Sequence, residues 1–236
     1  SGFFQSACGA RWKNLPICKK STSRLLELLT PGLDMAIETT KAGETRTRIL
    51  DSAARLFRER GYAAVSLRAI AASQEMQGGS LYYHFDSKEQ IVTEILNTGI
   101  EVVRVAVEYA IAMLPSQTSH ADIIRTAIRV HLSALLEHSD YTSANVRIFG
   151  QVPDTVKAAN LETRANYEAC WKRVLGNAQR DGVLRADVDL NVTRLMLIGA
   201  MNASLEWFDP DKGSVDQLAN RMADNILGGI LAAPGQ

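Results

Sequence analysis

What this sequence lacks narrows it before any motif is read. Its 236 residues hold 3 cysteines, Cys8, Cys18 and Cys170, too few for a disulfide framework, and none stands in a CxxC metal spacing. An intracellular, reducing compartment follows from that usage, with the cytoplasm as the expected location. There is no His-x-x-x-His pair, no phosphate-binding glycine loop and no nucleophile elbow, so no metal and no cofactor is expected. No apolar run is long enough for a signal-peptide core or a membrane span. Strand-like alternation, internal repeats and low-complexity tracts are missing as well. The net charge is zero, which argues against a generic polyanion binder.

What is present is an apolar content of 46%, ample for a core. Charge is unevenly spread. Residues 1–90 carry 13 Lys and Arg against 9 Asp and Glu, a balance of +4, while residues 91–236 carry 13 against 17, a balance of −4. A basic front and an acidic back fit nucleic-acid contact at one end only. The chain opens Ser-Gly, and Met35 is its first methionine. Residues 1–40, of which 1–34 precede that methionine, read as a leader, either a tag remnant or a misassigned start, with no share in function.

The informative stretch is 66–88. Ser66 can cap a short helix whose Leu67, Ile70 and Ala71 form an apolar edge. Polar residues and two glycines interrupt it. A second short helix of about seven residues follows, with Leu81 and Phe85 at i, i+4. Two short helices across a tight turn form a helix-turn-helix, whose second helix lies in the DNA major groove. Tyr82, Tyr83 and His84 are three consecutive rings with polar tips. Successive helix positions diverge by ~100°, so one face cannot bury all three. Their tips suit phosphate oxygens, while Gln77 and Ser80 suit base edges, and Arg68 is a further base-contact candidate. Gly78 and Gly79 either let the backbone approach DNA closely or merely make a turn. Ser87-Lys88-Glu89-Gln90 fits a capping box, and Lys88 at that helix N-terminus can grip a phosphate.

Residues 44–90 resemble the N-terminal domain of TetR-family transcriptional regulators. The likeness is carried by the run from Ile49 to Phe57, by Gly61-Tyr62, by Ser66 to Ala71 and by Gly79 to Glu89. The family's turn usually reads Ala-Gly-Val; here it is Gln74-Glu75-Met76, and Gln77-Gly78 replace a commoner small-polar and basic pair. Met76 keeps the apolar plug of that turn.

Helical spacing continues along the chain. The face of Ile49, Leu50, Ala53, Ala54, Leu56 and Phe57 predicts a helix over 46–60, ended by Gly61. Further helices are predicted over 89–113, 121–137, 142–149, 154–180, 189–208 and 215–231. The second of these is apolar nearly all round and belongs in the middle of a bundle. The reading is all-α: a three-helix helix-turn-helix domain over 43–90, then a six-helix ligand-binding and dimerisation bundle over 91–236.

Leu195, Ile198, Gly199, Asn202 and Ala203 form one stripe, and Leu218, Met222 and Ile226 another. Two such helices from each of two subunits would build a four-helix interface; ordinary intrachain core is the alternative. Since one recognition helix reads few bases, a two-fold homodimer on half-sites ~34–36 Å apart is the usual solution. Tyr167, Cys170, Trp171 and Val174 share one helix face. With His131, Arg147 and Phe149 converging on it, Tyr167 and Trp171 are the expected effector contacts, though each alone is more often plain core. Cys170 reads as a small core hydrophobe.

The C-terminal half is similar to TetR members controlling fatty-acid or steroid-ring breakdown, through the run from Tyr167 to Arg173, Gly199 to Asn202 and Glu206 to Phe208. That resemblance implies an acyl-CoA effector, met by Arg164, Trp171, Lys172 and Arg173. The expectation is a homodimeric repressor with double-stranded operator DNA, a second copy of itself and a small hydrophobic effector as partners, and no membrane. Ligand-independent DNA binding and an α-helical enzyme are the alternatives.

Overall fold

Ser66, Ser87, Ser119, Ser139, Asp189 and Ser214 each begin a helix by accepting a backbone N–H of its first turn. The computed structural model describes residues 41–231 apart from 77, so the leader, Cys8, Cys18 and Gln77 lie outside the described residues. The helices are α1 (Lys41–Arg60), α2 (Leu67–Ala72), α3 (Gly78–Tyr82), α4 (Lys88–Ala112), α5 (His120–Ser133), α6 (Asp140–Ile148), α7 (Asp154–Ala159), α8 (Leu161–Arg180), α9 (Leu190–Trp207) and α10 (Val215–Ile230). Among the described residues extended pairing is limited to one isolated bridge, Leu184 with Leu231.

Gly61 ends α1 as expected, at φ +78°, with its N–H on the Phe57 carbonyl. Three expectations about the helices are corrected. The second helix of the helix-turn-helix is five residues rather than about seven, because the N–H groups of His84 and Phe85 both close onto the Leu81 carbonyl. Tyr83 and His84 therefore stand in the turn after it. The 121–137 helix stays α-helical only to Ser133 and passes through a π-turn, Ala134–His138, where the Ser143 hydroxyl takes the Leu135 carbonyl at 2.6 Å. The 154–180 helix is broken at Asn160. That side chain is fully buried, donates to Asn97 Oδ1 at 2.6 Å and accepts from Arg164 Nε at 2.7 Å. The break makes seven helices after the first three, where six were expected.

Two apolar cores result. One joins Phe57, Ile70, Leu81 and Phe85 of α1 to α3 and the following turn to Ile91, Val92, Ile95 and Leu96 of α4, and to Tyr141, Ala144 and Ile148 of α6. The other surrounds α5, with Val103 and Val107 of α4, Trp171 and Leu175 of α8, Leu197 and Met201 of α9 and Ala219 and Ala223 of α10. Helix α4 thus runs through both. Where it crosses α6, Gly99 is required, since a Cβ there would overlap the Tyr141 carbonyl, whose carbon would lie 2.8 Å away.

Candidate DNA-binding face and cavity

In the first domain, Leu81 and Phe85 are buried and anchor α3, while its other face is open. Tyr82 is 59% and Tyr83 82% exposed, and the Tyr83 ring meets His84 edge-on at 5.1 Å between centroids. Arg68, Gly79 and Ser80 are exposed too. A Cβ at Gly79 would meet nothing within 4 Å, so packing does not demand glycine there. Met76 is partly buried against the first core, as the plug was expected to be.

Lys88 departs from expectation. Its ammonium turns inward, donating to the Tyr62 carbonyl at 2.6 Å and lying 3.8 Å from the Tyr62 ring centroid. Burial holds its pKa below the usual lysine value. A phosphate would have only its remaining donors. The capping box is also incomplete: Ser87 caps Gln90, but the Gln90 side chain accepts from Asp86 N–H at 2.7 Å rather than from Ser87.

Between α4, α5, α6, α8 and α9 lies a cavity of about 280 Å³. His131, Arg164 and Tyr167 line it. Arg147, Phe149 and Trp171 are not among its lining residues. Arg147 is exposed. Phe149 lies beneath the Arg164 guanidinium, 3.3 Å from its ring centroid, and packs on the first core. Trp171 is wholly buried in the second core, edge-on to Tyr167 at 6.4 Å. Lys172 is exposed, and Arg173 pairs with Glu108 at 3.0 Å. Cys170 is buried core.

The reading of the sequence missed Gly99, Thr142, Asn145, Glu168 and Arg194, all of which line the cavity. Leu195, Ile198, Gly199 and Asn202, assigned to a dimer stripe, line it as well. The i, i+4, i+8 spacing of Arg194, Ile198 and Asn202 was the available signal, obscured by a buried arginine that apolar counting ignores. Leu195 also faces outward, 56% exposed beside Met196 at 70%, and Gly199, Ala203 and Trp207 continue that open side of α9. On α10, by contrast, Leu218, Met222 and Ile226 are half-buried against the second core of their own chain.

The polar groups of the cavity are ordered by hydrogen bonds. His131 Nδ1 is 2.6 Å from the Tyr167 hydroxyl, and Nε2 is 3.2 Å from Asn202 Oδ1. Burial pushes the His131 pKa down to about 4 and the Tyr167 phenol upward. The network fits a neutral ring accepting from Tyr167 at Nδ1 and donating from Nε2 to Asn202. Burial also lowers Arg164 to about 10, with nearby Glu168 opposing. Helix α6 reaches both ways. Thr142 donates to the Gly99 carbonyl at 2.9 Å, Asn145 donates to Leu96 at 2.7 Å, and Arg164 donates to Asn145 Oδ1 at 3.0 Å. On its other side Tyr141 donates to Asp51 of α1 at 2.7 Å, and Asp140 pairs with Arg58 at 3.2 Å. Among the described residues no group of His, Cys, Asp and Glu can hold a metal ion, and no helix is long and apolar enough to cross a membrane.

An exposed short helix after a capped one, joined through α4 to a cavity-bearing bundle, is matched by known proteins. Residues 49–95 match the family of bacterial regulatory proteins, tetR family, and residues 117–230 the tetracyclin repressor-like C-terminal domain. The chain belongs to the TetR family. The transcriptional repressor KstR2 of Rhodococcus jostii (strain RHA1) is 31% identical over 209 residues, covering 84% of this chain and 97% of its own. The TetR-family regulator PfmR of Thermus thermophilus is similar in structure at a TM-score of 0.67 and 25% identity, over 77% of this chain and 95% of that one. AibR, solved with isovaleryl coenzyme A and operator DNA, shares the fold at a TM-score of 0.67 and 23% identity, over 78% and 96%. As a TetR-family member this chain is a DNA-binding transcriptional regulator rather than an enzyme.

Proposed function

We propose that this TetR-family protein is a cytoplasmic, homodimeric repressor that leaves its operator when a small hydrophobic effector, an acyl-CoA thioester foremost, enters the cavity. The observation that carries the reading is the double role of α6: Thr142 and Asn145 line the cavity while Tyr141 holds Asp51 of α1. Helix α4 has the same double character, giving Gly99, Ile100 and Val103 to the cavity and Ile91 to Leu96 to the first core.

An effector wedged among these residues moves α4 and α6 against each other. The two recognition helices of a dimer then no longer meet half-sites ~34–36 Å apart. The effector needs only differential affinity for the two arrangements; a coupling of ~1–3 kcal/mol is typical, and operator must weaken effector binding by the same factor. DNA contact falls to Arg68, Gln77, Gly78, Gly79, Ser80, Tyr82, Tyr83 and His84, with Lys88 contributing through its remaining donors. The open apolar side of α9, Leu195, Met196, Gly199 and Ala203, supports a subunit interface there. In AibR an acyl-CoA and operator DNA are bound by one protein of the same fold, which favours a thioester as the first probe.

The test begins with a binding duplex selected from a random library. Isovaleryl-CoA and octanoyl-CoA are then titrated into the complex while fluorescence anisotropy follows release, with sedimentation reporting subunit number. Release of DNA by a thioester from a two-chain complex is the expected result. Unchanged operator affinity at saturating thioester, or binding by a single chain, would overturn the proposal.

A further inference from the structure

The charges around the cavity do not cancel. Arg164 and Arg194 both line it, against one acid, Glu168. Arg194 is only 5% exposed; Nη1 pairs with Glu168 at 3.3 Å, Nη2 donates to Asn191 at 2.9 Å, and Nε is buried without an acceptor among the described residues. Arg164 commits Nε to Asn160 and Nη2 to Asn145, and the face of its guanidinium lies on the Phe149 ring. The neutral ring of His131, with Tyr167 and Asn202, supplies no compensating charge.

A surplus guanidinium beside the apolar walls of Ile100, Val103 and Ile198 is costly unless an anion shares it. The planar fork of arginine matches a carboxylate in geometry as well as charge. A space of about 280 Å³ is near the lower end of the ~300–1,000 Å³ of ligand pockets, enough for a short acid or for the acyl part of a thioester whose coenzyme A portion extends out of it.

We propose that the group buried in this cavity is a carboxylate on an aliphatic or alicyclic body, held between Arg164 and Arg194, rather than a plain hydrocarbon acyl chain. This rests on reading the cavity as the effector site. The carboxylate can come from a free organic acid or from the far end of a dicarboxylic acid whose other end is a CoA thioester.

Calorimetric titration of the full chain tests this with octanoate, octanamide, octanoyl-CoA and the CoA monothioester of octanedioic acid. Octanoate binds more tightly than octanamide by about tenfold or more, the scale of one charge-assisted contact, and Arg194→Gln abolishes that preference. Glu168→Gln removes the opposing acid and has the reverse sign, tightening octanoate but not octanamide, so the outcome does not hang on the fold of one variant. If the acid arrives as a thioester, the octanedioic monothioester binds more tightly than octanoyl-CoA. Equal binding of octanoate and octanamide, together with no preference for the octanedioic monothioester, overturns the inference. In that event release of operator DNA by octanoyl-CoA leaves the effector reading standing; if none of the four probes binds and DNA is never released, both fall.

Discussion

The Tyr141 hydroxyl on α6 donates to the Asp51 carboxylate of α1 at 2.7 Å, across the seam between bundle and DNA-binding domain. Burial raises the Asp51 pKa above the usual 3.8, and the Tyr141 bond opposes that rise. A raised carboxylate is most favourable to the fold below its unfolded pKa and progressively less so as pH rises through the folded value.

Tyr141→Phe removes the donor. The expected loss is ~1–2 kcal/mol, the cost of an unmet partly buried acceptor. Urea unfolding checks it, and because the Tyr141 bond favours the ionised carboxylate, the gap from the parent protein is larger at pH 7 than at pH 4. Weaker coupling between thioester and operator accompanies it.

His131 gives the opposite pH dependence. Its folded pKa of about 4 lies below the unfolded 6.5, so its neutral form stabilises the fold above pH 6.5 and that contribution is lost as pH falls toward 4. The full span amounts to roughly 3 kcal/mol. His131→Gln keeps hydrogen-bonding groups without titrating, and unfolding curves between pH 7 and pH 4 become flatter by about that amount.

Gly99→Ala forces a methyl group into the Tyr141 carbonyl. A backbone oxygen cannot turn aside as a side chain would, so α4 and α6 must separate. A loss of about 2 kcal/mol, or ~4–8 °C in Tm, is expected by calorimetry.

Glu75, in the turn before α3, sits at φ +54°, a left-handed conformation that glycine adopts without strain. Glu75→Gly relieves that strain at some cost in chain entropy. A net gain of about 0.5–1 kcal/mol is expected, with no change in the circular dichroism of the folded protein.

The recognition segment was legible because its logic is local. Ser66 caps its own first turn, Gly61 ends its own helix, and Leu81 and Phe85 are one turn apart, so residue type and spacing suffice. The same holds for most of the all-α architecture, since amphipathic faces and caps repeat at helical intervals.

The cavity is where spacing failed. Asn160 breaks a helix by binding Asn97, and Arg194 is buried by pairing with Glu168; neither partner is near in sequence. Leu195 and Asn202 were read as an outer stripe, yet the bundle turns the same face of α9 partly inward. Lys88 was read as a grip for phosphate, and its ammonium donates to the Tyr62 carbonyl. The sequence alone determined which segments are helical, where most begin and end, and that a helix-turn-helix leads them, because those features rest on contacts within a few residues. Tertiary structure alone decided which polar side chains are enclosed and how α6 ties the cavity to α1, because burial and long-range hydrogen bonds are properties of how helices meet.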